Sequence, residues 1–411
     1  MRIAIIANRF GFGAVTKSES TAKLYALEAS QRLKWEVDFF ASNSKDDETW
    51  TSCLMPGVDL FAPGIRVHRF ACSSLRDERL YRWFMRCFSW FIKSRNQTEK
   101  KTGPGFLENL WLKLLGPQCP QLVDHVLRSQ DLFDAILLFG FQSYLTLLTL
   151  KSFRGRKIFF PLLREGSAAH FFHTKSALAC ADVVAVSSEE ELALLRRLYP
   201  VIAQKARILP PGFDIQQFSI DENSSSLSDL PETFVLYIGR VGRTKHVDRL
   251  IRHFEGFKRE KIENDIHLVI VGPMETGFIV PDAPFFHYMG YVSESDKALL
   301  IRRALCLINC SPFESLPLTT IEALGLGVPI LINELSETLR YYMKRVPTVF
   351  GYRNGADFIK QLTEIAAINW QEDPVRRAQI EQSQDWIKST FSWPSTLQQL
   401  GELIVDKNIG S

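Results

Sequence analysis

Residues 308–332 read INCSPFESLPLTTIEALGLGVPILI, and the rest of the chain is best understood from this stretch. The apolar run 304–308 predicts a buried strand. The chain then breaks at Ser311 and Pro312, carries Glu314 in the turn, enters a helix that holds Glu322, and closes over Gly325, Gly327 and Pro329. Residues 328–332 predict a second buried strand. A strand–loop–helix–strand unit aims N–H groups of the helix start at whatever lies above the strand ends, a position that favours an anion such as phosphate. The two carboxylates stand eight residues apart, one in the loop and one in the helix. Carboxylates accept hydrogen bonds from sugar hydroxyls, so the pair suits two sugar rings flanking a phosphate bridge. As a bare pattern the same acids also fit a surface acid and a helix acid of any α/β unit.

On both sides of this stretch, apolar runs alternate with helical periodicity. Strands are predicted at 3–7, 37–41, 67–70, 134–139, 157–163, 181–187 and 206–212, and again at 234–238, 267–271, 286–288, 306–309 and 330–333. Helices are predicted at 18–33, at 106–115, at 189–198 with Ser188 and Glu191 as a capping box, and at 394–405. Such alternation predicts parallel sheets with right-handed crossovers, here twice over. A polar linker at 219–232 separates the two series. The expected domains are 1–215 and 216–390, with 391–411 as a terminal helix.

With 411 residues and 46% hydrophobic side chains, two packed cores are expected. A net charge of +3 argues against nucleic acid as a partner. The seven cysteines include no C-x-x-C pair, and Cys306 and Cys310 lack the partners of a zinc site, so buried thiols in a reducing cytoplasm are expected. The opening run reads as a strand rather than a signal peptide, and the apolar stretch 135–150 is too short and interrupted to span a bilayer. One segment stands apart, opening on Arg76 and closing on Lys101. Arg76, Arg79, Arg82, Arg86, Lys93 and Arg95 alternate there with Leu80, Trp83, Phe84, Phe88, Trp90 and Phe91 at helical spacing. Two readings stay open: an interfacial helix on an anionic membrane, at the inner face of which a cytoplasmic protein would sit peripherally, or a helix packed on its own domain.

The spacing Glu314-x7-Glu322, followed by Ala-Leu-Gly-Leu-Gly-Val-Pro, resembles the nucleotide-sugar site of glycosyltransferase family 4, retaining enzymes of GT-B fold. The family writes E-G-F-G-L-P-x-x-E-A-x-x-x-G-x-P. This chain keeps Glu314, Leu318, Glu322, Ala323, Gly327 and Pro329, and has Ser315 and Pro317 in place of two glycines. Gly239-Arg240-x4-Lys245 is similar to the family's G-R-x-x-x-x-K-G, with His246 replacing the last glycine. Gly272 follows its strand as in I-V-G-x-G, and Gly290, Tyr291 and Val292 match L-G-x-V. In the first half, Gly11 and Gly13 fall where the family has a glycine-rich loop on the acceptor side.

The resemblance implies two Rossmann-like doubly wound domains facing a central cleft, with the C-terminal helix crossing back to the N-terminal domain. It implies a retaining, metal-independent transfer from a nucleoside-diphosphate sugar, the substrate rather than a cofactor, to a hydroxyl acceptor: glycan, lipid-linked or small molecule. Arg240 and Lys245 would hold the diphosphate, the arginine by its planar fork and the lysine as a point charge. Glu314 would hold the donor sugar and Glu322 the ribose. Gly239 and Gly272 would line the donor loops, Tyr291 and Val292 the base, and the N–H groups from Leu316 through Pro317 to Leu318 the phosphates. Where the family commonly ends the 157–163 strand with a histidine, Leu163 is followed by Arg164, Glu165 and Gly166, and His170 and His173 come later. Either His170 or His173 has been recruited, or Arg164 or Glu165 substitutes, or catalysis is lost; His173, on an apolar segment, reads as structural. The rivals are a sugar-phosphate synthase of the same fold and a non-catalytic nucleotide-sugar-binding regulatory protein.

Overall fold

The computed structural model describes residues 1–11, 16–46, 49–73, 77, 79–81, 83–84, 106–214, 230–261, 264–314, 316–370 and 372–406. The chain divides into two compact units, Met1–Pro211 with Trp393–Ser411, and Gly212–Ser392. Most of the basic and aromatic segment 76–101, the greater part of the linker and Gly13 lie outside the described residues. Among the described residues no helix is long and apolar enough to cross a membrane.

The first unit is built on an eight-stranded sheet in the order β3-β4-β2-β1-β5-β6-β7-β8. Its strands are β1 (Arg2–Ile6), β2 (Glu36–Ser42), β3 (Gly57–Ala62), β4 (Ile65–Phe70), β5 (Ala135–Phe139), β6 (Lys157–Phe160), β7 (Val183–Val186) and β8 (Ala206–Ile208). All pairings are parallel except β3 with β4. Ile3, Ile5, Ile136, Leu138, Ile158 and Val184 have no exposed surface, as expected of strands covered on both faces by crossover helices. The strand expected at 157–163 stops at Phe160. Pro161 has no N–H for the ladder, and Leu162 turns with φ 50°. β3 was not expected from the sequence: it is an edge strand, exposed along most of its length, and so lacks the alternation that marks a half-buried one. The helix Trp393–Val405 belongs to this unit: Trp393 meets Tyr25 edge-on at 5.2 Å and Thr396 Oγ1 donates to the Pro210 carbonyl at 2.8 Å.

The second unit holds a six-stranded, all-parallel sheet in the order β11-β10-β9-β12-β13-β14. Its strands are β9 (Phe234–Ile238), β10 (His267–Val271), β11 (Phe286–Gly290), β12 (Leu307–Asn309), β13 (Ile330–Asn333) and β14 (Val349–Tyr352). In each sheet the winding reverses once, between β1 and β5 and between β9 and β12. Open α/β sheets bind ligands outside the carboxyl ends of strands at such a switch point.

Candidate active site

In the second unit the residues after β9 and β12 occupy that switch point. Gly239 follows β9, and the loop beyond it carries Arg240 and then Lys245 in the short turn Arg243–Lys245. The loop lies alongside the one after β10: the Val241 N–H donates to the Pro273 carbonyl at 2.8 Å, and the Glu275 N–H donates back to the Val241 carbonyl at 2.9 Å. Gly272 makes this approach feasible. It has φ +128°, and a Cβ there would run into the carbonyl oxygen of Gly239.

Beyond β12, Ser311 and Glu314 face Lys245. Its Nζ is 2.6 Å from Glu314 Oε1 and 3.4 Å from Ser311 Oγ. The Glu314 side chain is 5% exposed and that of Lys245 24%, so this is a largely desolvated pair. The backbone around it is pinned as well. The Glu314 carbonyl accepts from Thr338 Oγ1 at 2.7 Å, and the Lys245 carbonyl accepts from the Cys310 thiol at 3.2 Å. Burial pushes the Cys310 thiol up to about 12, so it stays a neutral donor. Arg240 stands exposed at the start of the loop, its carbonyl accepting from the Tyr237 hydroxyl at 2.8 Å.

The helix Leu318–Gly325 begins just past Glu314 and carries Glu322. The three positions expected to offer N–H groups to phosphate do not form the expected cradle. Pro317 has no N–H, and that of Leu318 is already accepted by the Leu316 carbonyl at 3.1 Å. The N–H groups left for an anion at this helix start are those of Leu316 and of the following turn. Glu314 and Glu322 hold different cations, Lys245 and Lys297 respectively. On the neighbouring edge Gly272 donates to the Gly290 carbonyl at 2.7 Å, Tyr291 is exposed, and Val292 is half-buried.

The first unit presents its own switch-point loop. Gly11 follows β1 with φ +102°. Arg9 and Glu19, both buried, make a two-pronged ion pair at 2.8 and 2.9 Å across the loop, and Thr16 and Glu19 form a capping box on the helix Lys17–Leu33. His170 is exposed, with Nε2 3.5 Å from Glu165 Oε1. His173 is buried instead, its Nε2 3.0 Å from Asn109 Oδ1 and its Nδ1 3.2 Å from Lys151 Nζ. Burial first, and then the lysine, push it down to about 4, so it stays neutral. Glu191 reaches beyond its own helix: its carboxylate accepts from the Leu163 N–H at 2.5 Å and the Ser187 N–H at 2.8 Å. It thereby ties together the loops after β6 and β7, while Ser188 caps the helix at the Glu191 N–H, which is half of the expected capping box.

Lys297 was missed from sequence. The signal was there: a cation in the opening of the helix Glu294–Arg303, where the helix dipole disfavours it, implies a carboxylate close by.

Two doubly wound α/β units in one chain make up the GT-B fold, and here the second carries a cation–carboxylate pair at its switch point. Residues 219–350, about a third of the chain, match the family model described as Glycosyl transferases group 1. A D-inositol 3-phosphate glycosyltransferase of Nocardia farcinica is 26% identical over 178 residues, a match spanning 39% of this chain and 39% of that relative. The sucrose-phosphate synthase of Thermosynechococcus elongatus superposes with TM-score 0.68 at 18% identity over 98% of both chains. Anabaena HepE, solved in complex with UDP and glucose, gives 0.64 at 14% identity, again over 98% of both.

Proposed function

We propose that the chain is a retaining, metal-independent glycosyltransferase that moves a sugar from a nucleoside-diphosphate sugar to a hydroxyl acceptor. One observation carries the reading: Lys245 and Glu314, 69 residues apart in sequence, meet at 2.6 Å at the switch point within the segment that matches the group 1 model. In this reading Arg240 and Lys245 face the diphosphate, Glu314 faces the donor sugar, and Glu322 accepts from the ribose. As the bond between the anomeric carbon and the diphosphate breaks, negative charge gathers on the leaving group. Cations held in place there stabilise the transition state more than the ground state. The base lies against Tyr291 and Val292. Gly11 and Gly13 of the first unit serve the acceptor side, and His170 is the candidate to contact the donor sugar.

The test is release of nucleoside diphosphate from a panel of nucleotide sugars by the purified chain, with and without chelator. The acceptors offered are neutral sugars, sugar phosphates, an inositol phosphate and a polyprenyl-linked sugar. Transfer that survives chelator and preserves the anomeric configuration supports the reading. Transfer only to a sugar phosphate selects the synthase alternative, supported by the likeness to sucrose-phosphate synthase. Binding of a nucleotide sugar without transfer or hydrolysis selects the non-catalytic one. Glu322→Ala should weaken donor binding by about 10- to 100-fold, the worth of a hydrogen bond to a charged acceptor.

A further inference from the structure

Glu322 is 17% exposed and its partner Lys297 15% exposed. The lysine comes from the helix Glu294–Arg303, and its ammonium lies 3.0 Å from Glu322 Oε1 and 2.6 Å from Oε2 of the exposed Glu294. The second oxygen of Glu322, Oε2, is closed to solvent and takes no hydrogen bond from the described residues. The charged groups that act on Glu322 are Lys297 and Glu294, and the hydrogen bonds made to its helix by two neighbouring elements come from neutral side chains. Gln384, from the helix Pro374–Thr390, donates to the Gly325 carbonyl at 3.2 Å, and Asn309 of β12 donates to the Thr320 hydroxyl at 3.2 Å. β13 contributes its apolar run. Glu322 is thus a half-satisfied carboxylate with one counter-ion, and that counter-ion occupies the end of a helix least suited to a cation.

We propose that Lys297 is a positioning residue of the nucleotide site, holding the Glu322 carboxylate by one oxygen in the orientation and charge state in which it accepts the vicinal hydroxyls of a ribose. The inference rests on the reading of Glu322 as the ribose acceptor. The terminal torsion of Glu322 is broad and two-fold, so the ion pair with Lys297, rather than the side chain's own preference, sets the plane of the carboxylate. Lys297 also sets the charge of the site. Burial pushes the Glu322 carboxyl above the usual carboxylate range, Lys297 draws it back, and Glu294 opposes the lysine. Without the ammonium, burial and Glu294 both act to protonate Glu322, and a protonated carboxyl is a poorer acceptor for a diol.

The experiment is a calorimetric titration of the full chain with uridine, guanosine and adenosine diphosphates between about pH 6 and pH 8, a range that brackets neutrality. The chains compared are the wild type, Lys297→Met, Lys297→Arg and Glu322→Gln. For the diphosphate that binds, Lys297→Met should lose about tenfold or more in affinity at neutral pH and fall further as the pH drops. Lys297→Arg should stay within about threefold of wild type, because the charge is kept. Glu322→Gln should be weak at every pH. If Lys297→Met does not fold, Lys297→Gln carries the same test, since it keeps a donor without the charge. A neutralised Lys297 with wild-type affinity and pH profile, beside a weak Glu322→Gln, overturns the proposal and leaves the ribose reading standing. No binding by the wild type, or full binding by Glu322→Gln, overturns that reading and the proposal with it.

Discussion

Removing the Lys245 ammonium should damage stability as well as turnover, and the two losses should respond differently to a second substitution. In Lys245→Met the Glu314 carboxyl, 5% exposed, loses a contact at 2.6 Å. Breaking a fully buried pair costs about 3–5 kcal/mol. Because the Lys245 side chain is 24% exposed, the cost here should be nearer 2–3 kcal/mol, a fall in Tm of about 5–10 °C for a unit of this size. Lys245→Met with Glu314→Gln leaves no charge to desolvate and should recover most of that stability, with a coupling of about 2 kcal/mol in the double-mutant cycle. Turnover should not recover. Each variant should lose about a hundredfold or more in kcat, the scale of one transition-state donor, and the double variant should be as slow as the worse single one. Thermal denaturation and nucleoside diphosphate release supply the two readouts. Stability effects that simply add would refute the pairing as an energetic unit, and a double variant with restored turnover would refute its role at the site.

Three further outcomes are expected. Gly272→Ala, whose Cβ meets the Gly239 carbonyl, should cost about 2–4 kcal/mol in urea denaturation, whereas Gly277→Ala, at φ +78° with nothing within 4 Å, should cost only about 1 kcal/mol of backbone strain. Burial raises the Glu191 carboxyl to about 7, so the folded state holds its proton more tightly than the unfolded one. Stability relative to Glu191→Gln should therefore be greatest below the unfolded value of about 4.5 and fall, by an amount on the order of 3 kcal/mol, as the pH rises to about 7; denaturation curves at several pH values that run parallel for the two chains would contradict this. If the segment 76–101 is interfacial, the wild type should co-sediment with anionic vesicles at low salt, and replacing Arg79, Arg82 and Arg86 by Glu should abolish it, each cation contributing about 1 kcal/mol.

Local pattern carried much of this structure. Strand–helix alternation, Ser188 as a cap and the helix with Glu322 were legible because each depends on residues within a few positions of one another. What escaped depends on distant partners. The Lys245–Glu314 contact joins loops from two strands, and Glu191 spends its carboxylate on the Leu163 and Ser187 N–H groups rather than on that of its cap, Ser188. The loop at 316–318 shows the reverse error: a motif read by likeness suggested N–H donors, while Pro317 and the turn it imposes remove two of the three.

The helix Trp393–Val405 has a consequence for the order of synthesis. Trp393, Leu397 and Leu400 are buried with Ile5, Tyr25 and Phe139 in one core, so the first unit is interrupted in sequence by the whole of the second. A ribosome adding about 5–20 residues per second takes roughly 10 to 35 seconds to traverse the intervening segment, Gly212–Ser392. Throughout that interval the apolar flank of the helix Lys17–Leu33 is without its final cover. The nascent chain is then most open to chaperones and to premature association, and loss of the last helix would make that condition permanent.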